Sequence, residues 1–408
     1  MNFDVTKKSA AVFLSAAMLA GCSSAPADSS SDAADSNAGS ETNTEQASGN
    51  KVSDTVKIGL NFELTGELSD YGIKELNGAK IAIKHFNERE DKPFTVEGVE
   101  IDDKGDTQES ITAITRLVEQ DGVVGVVGPA TSGASIATYD FASQKATPVI
   151  SPSATQVNAM MKADGTPYEY AWRVCFEDSV QGAGMAVYDY ETLGAKKVVI
   201  FNANSDYGRG LADAFKTKFT ELGGEIVDTV EFGAGDKDFS SYVTRIKSLD
   251  YDCIYIAGYY NESAQIVNQL KADGVSVPIT GADGFDSADF RNQIGKDNAN
   301  DIFYTTAYTS ADPSDELKKF IDDYQAEYGE EPGMFAALSY DATNLLLSSL
   351  EATGEDGAAL NKEIENANFS GITGSFTFDK DTHTPNKSIL IVELVDGEQA
   401  NTTEQKVD

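Results

Sequence analysis

From Thr55 onward, short apolar runs alternate with longer stretches in which apolar positions recur every three or four residues. The first pattern predicts strands, the second amphipathic helices. Residues 56–62 form the first predicted strand, and a loop over 63–72 leads into a helix with Leu76, Ala79, Ile83 and Phe86 on one face. After a strand ending near Asp102, Asp106 and Glu109 make a capping-box pair for a helix carrying Ile111, Ile114, Leu117 and Val118. Val123, Val124, Val126 and Val127 form a β-branched run bounded by glycines, the mark of a parallel strand buried on both faces. It stops at Gly128-Pro129, and residues 148–150 repeat the device.

Residues 170–176 read as an extended crossing, after which the alternation starts again. A helix runs from Asp178 to Leu193 with Gly194 as its stop, followed by a strand over 197–201, a helix over 211–222 and a strand over 225–232. A helix from about Phe239, a strand over 253–257, a helix to Ala272 and a strand over 278–281 complete this half. Residues 302–308 form another crossing, then helices near 314–328 and 333–351 and short strands near 374–378 and 389–395. Strands alternating with helices twice over predict an α/β protein of two doubly wound, Rossmann-like lobes.

The first residues have a different pattern. Lys7 and Lys8 precede an apolar run over 10–20, too short to span a bilayer and proportioned as an export signal. It ends in Leu19-Ala20-Gly21-Cys22, which resembles the bacterial lipobox and predicts lipidation at Cys22 after removal of residues 1–21. Residues 22–53 contain almost no large apolar side chain and read as a disordered tether. A flexible coil of about thirty residues has an end-to-end distance on the order of 30 Å.

The formal charge of −36 repels nucleic acid and anionic membrane, so neither is expected as a direct partner. Cys175 and Cys253 sit in apolar contexts and read as buried thiols, not a disulfide framework. With His85 and His383 as the only histidines and no CxxC, no metal is expected. No GxSxG, no GxGxxG after a strand and no GxxxxGKS/T occurs, which leaves hydrolase and nucleotide readings, and any cofactor, without support.

The candidate chemistry lies in two turns. Ala130-Thr131-Ser132-Gly133 opens a predicted helix, and Ser151-Pro152-Ser153-Ala154-Thr155 comes after the next strand. N–H groups and hydroxyls gathered at a helix N-terminus favour a carboxylate or other small anion. Turns at the carboxyl ends of neighbouring parallel strands are where open α/β sheets bind ligands. Capping is the competing role for Ser132 and Thr155.

From about residue 55 to 397 the order of VKIGLNFELTGELSDYGIKELNGAKIAI, VVGVVGPATSGAS, TPVISPSAT, SDYGRGLADAF, KDFSSYVTRIK, IYIAGYYNESAQIVNQLK and ITGADGF resembles the leucine/isoleucine/valine-binding family. Members are extracytoplasmic receptors of branched-chain amino-acid ABC importers. The resemblance implies the type I periplasmic-binding fold, with two lobes joined by a three-strand hinge and the ligand in the cleft between them. Lobe 1 would comprise 54–175 and 306–386, lobe 2 176–305 and 387–397, and 398–408 a C-terminal tail. The crossings near 170–177, 302–308 and 384–388 would form the hinge.

The resemblance also implies ligand contacts. Tyr71 would come from the first loop, Ala130, Thr131 and Ser132 from the first turn, with Thr131, Ser132 and Thr155 holding the ligand carboxylate. Ser153, Ala154 and Thr155 represent the second turn, Ser153 and Thr155 meeting the ammonium group together with Asp283 from the other lobe. Tyr207 and Tyr259 would close over the ligand and Phe335 line its side-chain pocket. Two departures stand out: family members bridge a cysteine in the first turn to the preceding strand end, where this chain has Thr131, and the acid is the shorter Asp283. The reading is a monomeric, lipid-anchored binder of a small zwitterionic amino acid that serves an ABC permease and ATPase. The rivals are the same fold for urea, short amides, aromatic or other amino acids, a sensory module without transport, and an exported α/β enzyme.

Overall fold

The computed structural model describes residues 49–311 and 313–406. The export signal, Cys22 and most of the tether lie outside the described residues. A parallel sheet of β1 (Thr55–Phe62), β2 (Thr95–Asp102), β3 (Val126–Val127), β4 (Val149–Ser151) and β5 (Ala171–Arg173) has the spatial order 2-1-3-4-5. Its connections include α1 (Ser69–Glu88), α2 (Thr107–Arg116) and α3 (Ser132–Lys145). After α4 (Asp178–Val187) comes a second sheet with β6 (Lys197–Ala203), β7 (Glu225–Phe232), β8 (Cys253–Ala257), β9 (Ile279–Gly281) and β10 (Ile302–Thr306). The helices α5 (Asp206–Glu221), α6 (Ser240–Ile246), α7 (Tyr260–Ala272) and α8 (Ala288–Ile294) lie between these strands in sequence. The chain then forms α9 (Asp315–Tyr328), α10 (Met334–Thr353) and α11 (Gly357–Glu365), a small hairpin of β11 (Asn368–Gly371) and β12 (Gly374–Thr377), and finally β13 (Ile389–Val395) and β14 (Glu398–Gln405).

In the second sheet β7-β6-β8-β9-β10 repeats the topology of the first, and β13 and β14 extend it antiparallel. Strands β3, β4, β5, β8, β9 and β10 are buried at every residue, as parallel strands covered on both faces must be. In each sheet the order reverses once, between β1 and β3 and between β6 and β8, and ligand crevices of doubly wound sheets form beside such switch points.

Several boundaries differ from expectation. Strand β3 holds only Val126 and Val127, and half-buried Val124 joins the sheet by one bond from its N–H to the Lys57 carbonyl at 3.0 Å. Helix α5 begins at Asp206 rather than Leu211, because Ser205 caps it through the Gly208 N–H at 3.0 Å. Asp106 does cap α2, accepting from the Gln108 and Glu109 N–H groups. The return half of the capping box is missing, since the Glu109 carboxylate pairs with Lys104 instead. Residues 49–53, placed in the tether, are pinned by Asn50 to Asp356 and by Val52 to the Gly354 carbonyl. Residues 398–405, placed in a tail, form edge strand β14: Asp396 and Gly397 both take positive φ, the requirement of a tight hairpin turn matched to strand twist. Helix α11 and strand β11, the hairpin partner of the expected strand β12, were not expected.

Two packing features place the cleft. The buried Arg173 guanidinium, where the chain leaves the first sheet, donates to the carbonyls of Ala154 and Gln156, to Glu177 and to Thr384, tying the second turn to two crossings. Helix α1 lies so close to α10 that a Cβ on Gly78 would sit 2.0 Å from the Ala336 carbonyl oxygen. That contact brings Tyr71 on α1 to Phe335 on α10, with ring centroids 4.3 Å apart. Gly78→Ala should therefore destabilise the protein by about 1–3 kcal/mol, read as a lower urea midpoint. Gly133→Ala, with nothing within 4 Å of the added methyl, should leave the midpoint unchanged or slightly raised.

Candidate functional site

Between the carboxyl ends of the two sheets lies a small, closely shut cleft lined by Tyr71, Ala130, Thr131, Ser132, Ser153, Tyr207, Tyr259, Asp283, Gly284 and Phe335. Nine of the eleven residues expected at the site border it. Ala154 and Thr155 do not, being fully buried beside it.

The first turn is held from below by an acid that the sequence pattern does not single out. The carboxylate of Glu63, the residue after β1, accepts from the Ala130 N–H at 3.1 Å, the Thr131 N–H at 2.9 Å and the Thr131 hydroxyl at 2.8 Å. Thr131 thus spends its donors on Glu63 and has none left for a ligand carboxylate, against expectation. The same bonds brace the turn at the position where the resemblance implied a cysteine bridge. What remains for an anion is Ser132: its N–H and that of Gly133 lie in the first turn of α3, where no intrahelical acceptor exists. Its hydroxyl oxygen accepts from the Gln156 N–H at 3.2 Å, which leaves the O–H free to donate. Ser132 therefore does not cap α3.

The second turn is fastened by its own hydroxyls. Ser151 donates to the Pro129 carbonyl at 2.7 Å and accepts from the Ala154 N–H at 3.0 Å. Ala154 has its carbonyl on Arg173 as well, so both of its backbone groups are committed. Ser153 Oγ bridges the Ala130 carbonyl at 2.9 Å and the buried carboxyl of Glu75. A hydroxyl has one proton, and both contacts are satisfied when Glu75 is protonated and donates to Ser153. Burial drives the Glu75 carboxyl well above its ordinary range, which agrees. Thr155 caps nothing; its hydroxyl is buried without a hydrogen-bond partner.

From the second lobe come Tyr207, Tyr259 and Asp283. The two tyrosine rings stack with centroids 4.8 Å apart. The Tyr207 hydroxyl donates to Asp283 Oδ1 at 2.7 Å, and Gln181 Nε2 to the same oxygen at 3.0 Å. Burial pushes Asp283 up to about 6 in spite of these donors. Asp178, buried and tied to Gln181 at 2.6 Å, is raised well above the carboxylate range by burial and then by the charge of Asp283. The pair presents about one negative charge at neutral pH.

The lobes meet across the cavity. The Tyr71 hydroxyl donates to the Gly284 carbonyl at 2.6 Å and accepts from the Tyr260 N–H at 3.1 Å, while Tyr260 donates to the Glu67 carbonyl at 2.6 Å and Ser287 to Asp70 at 2.6 Å. Gly284 permits the approach: a Cβ there would lie 2.7 Å from the Gly258 carbonyl oxygen and 2.9 Å from the Tyr207 hydroxyl. Cys175 and Cys253 are buried free thiols. Among the described residues no group of His, Cys, Asp or Glu is arranged to hold a metal ion, and no helix is long and apolar enough to cross a membrane.

Glu63, Glu75, Asp178 and Gln181 were missed as site residues. A signal existed for three of them. Glu75 falls on the buried face of α1 with Tyr71 and Ala79, and Asp178 and Gln181 stand three apart on the otherwise small and apolar α4. A polar residue on an apolar stripe marks a buried polar contact.

Two doubly wound lobes facing each other across a small polar cleft define a solute-binding protein. The chain belongs to the periplasmic binding protein family, whose pattern matches residues 55–399. It is 31% identical over 308 residues to the Leu/Ile/Val-binding protein BraC3 of Rhizobium johnstonii, covering 75% of this chain and 82% of that protein. It is 37% identical to the branched-chain amino acid transporter substrate binding protein LivJ from Streptococcus pneumoniae, solved in complex with isoleucine, with a TM-score of 0.81 over 86% of this chain and 100% of that one. The leucine binding protein LivK from Thermotoga maritima is 32% identical with a TM-score of 0.78, over 86% of this chain and 98% of that one. Proteins of this family work outside the cytoplasm and bind solutes without transforming them.

The buried acids set a pH dependence. Burial raises both Asp103, behind the first turn, and Asp189, on the second lobe, to about 8. An acid whose folded value exceeds its unfolded value near 4 keeps its proton in the native state after the unfolded chain has lost it. Its stabilising effect is complete below about 4 and is lost as pH rises towards 8. The urea midpoint should therefore be lower at pH 8 than at pH 5, and Asp189→Asn should flatten the difference. Equal midpoints in the wild type would contradict this assignment.

Proposed function

We propose that the cleft captures a small zwitterionic amino acid, most specifically leucine, isoleucine or valine, and delivers it to an ABC permease and its ATPase. The observation that carries this reading is the opposition of two poles on one cavity. The free N–H groups and hydroxyl at Ser132 and Gly133 suit a carboxylate, and the Asp283 carboxylate in the other lobe suits an ammonium group. Tyr71, Tyr207, Tyr259 and Phe335 supply an apolar wall for an aliphatic side chain. The relatives that bind branched-chain amino acids support the ligand class.

Each lobe contributes one pole, so a ligand that touches both favours the shut arrangement; hinge closure of periplasmic binding proteins is a known case of this linkage. Of the expected contacts, Ser132 and Asp283 are the anchors in this reading, the Ser153 carbonyl is an auxiliary partner of the ammonium group, and Thr131, Ala154 and Thr155 serve the scaffold. The expected lobe boundaries and hinge crossings are retained as part of the proposal, with the second lobe extended to include β14. Lipid attachment at Cys22, inferred from Leu19-Ala20-Gly21-Cys22, would hold a monomeric receptor at the outer face of the cell membrane.

Calorimetric titration of protein stripped of ligand by unfolding and refolding tests the reading. Leucine, isoleucine and valine should bind saturably and urea should not. Asp283→Ala should weaken amino-acid binding by about 3 kcal/mol, roughly 100-fold, because the ligand's ammonium is left buried without a partner. Silence of a folded protein towards every amino acid would sink the ligand class.

A further inference from the structure

Among the described residues Gln181 is the one neutral side chain hydrogen-bonded to both Asp178 and Asp283. Its Nε2 donates to Asp178 Oδ1 at 2.6 Å and to Asp283 Oδ1 at 3.0 Å. Its Oε1 accepts from the Asp283 N–H at 3.2 Å and from the Thr305 hydroxyl on β10 at 2.6 Å. A primary amide has two N–H donors and one oxygen with two lone pairs, so every capacity of this buried side chain is filled in one orientation. The opposite orientation would aim its carbonyl at two carboxyl oxygens. Asp283 is thereby held at its backbone and at Oδ1, the neighbouring Gly284 N–H also acts on its carboxyl, and no hydrogen bond among the described residues ends on Oδ2 of this cavity-lining side chain.

We propose that Gln181 is a positioning residue for recognition of the ligand's ammonium group, acting through Asp283. It turns one carboxylate oxygen of Asp283 to the cavity and, by donating to Oδ1, favours the ionised form that an ammonium group needs. Thr305 fixes the amide in that orientation. Burial, and after it the charge of Asp283, keeps Asp178 protonated, so the second acid adds no second charge. The other titratable and charged groups around this centre include Tyr207 on α5, Tyr71 on α1, Tyr259 before α7, Asp286 beside Asp283, Tyr255 on β8, Arg173 at the end of β5 and Cys175 two residues after it. This inference rests on the amino-acid reading proposed for the cleft.

The test is the pH profile of leucine, isoleucine and valine affinity for the whole protein, wild type against Gln181→Met and Thr305→Val, each checked for an intact fold by circular dichroism. Wild-type affinity should fall as pH drops through about 6, where Asp283 takes up its proton. Gln181→Met should weaken binding at pH 7.5 by about 10- to 100-fold, the range seen when a partner orienting a binding residue is removed. It should also move the midpoint of the profile to higher pH, because the ionised acid has lost a donor. Thr305→Val, which leaves the amide in place but frees it to rotate, should shift both in the same direction by less; it decides the matter if Gln181→Met does not fold. Wild-type affinity for the variants, or a uniform weakening with an unmoved midpoint, overturns the positioning role. A wild type that binds no amino acid overturns the ligand class, and with it this inference.

Discussion

Burying Glu63 under the Ala130-Thr131 turn removes a carboxylate from water, and the chain must then supply donors or leave it a proton. It supplies two backbone N–H groups and a hydroxyl, which fixes the turn that begins α3. The same cost governs the rest of the cleft. Glu75 keeps its proton and passes a hydrogen bond through Ser153, Asp283 collects two donors on Oδ1, and Asp178 stays neutral beside it. Among the described residues no cation forms an ion pair with these acids, so their arrangement is set by hydroxyls, amides and protons. Such a network is selective because each member has a single way to be satisfied.

The two lobes solve the same packing problem with the same topology. A parallel sheet buried on both faces has little room for polar groups except where strands end, and the strand order leaves a crevice where it reverses. Both reversals face the cleft, so the polar residues that cannot enter either core converge there. Tyr71 then does double service: its ring packs on Phe335 and its hydroxyl joins Gly284 and Tyr260 of the second lobe. A latch made of backbone carbonyls and N–H groups depends on how closely the chains approach, hence the demand for glycine at 284.

Much of this was legible in the chain. The β-branched runs and three- and four-residue spacings located the strands and helices that make the two lobes, and the small-residue turns pointed to Ser132. The expectations that failed have separate causes, one distant in sequence and two local. Thr131 looked free to bind a ligand because its partner, Glu63, lies 68 residues away in sequence. The tail became β14 because Asp396-Gly397, a hairpin signal in plain view, was outweighed by the polar character of residues 398–405, which suits an exposed edge. Helix α5 began earlier than its apolar stripe because a cap, not hydrophobicity, sets a helix start.

The sequence by itself determined the α/β alternation, the two lobes and the small-residue turns proposed as the anion pole, since each arises from local periodicity and local turn chemistry. Only the tertiary structure decided which polar groups remain free. Gln181, Asp178, Asp283 and Thr305 are spread over more than a hundred residues, and their bonding is settled by which strand end lies beside which helix. Hydrogen-bond satisfaction is a property of neighbours in space, and a chain read in order shows neighbours along the backbone.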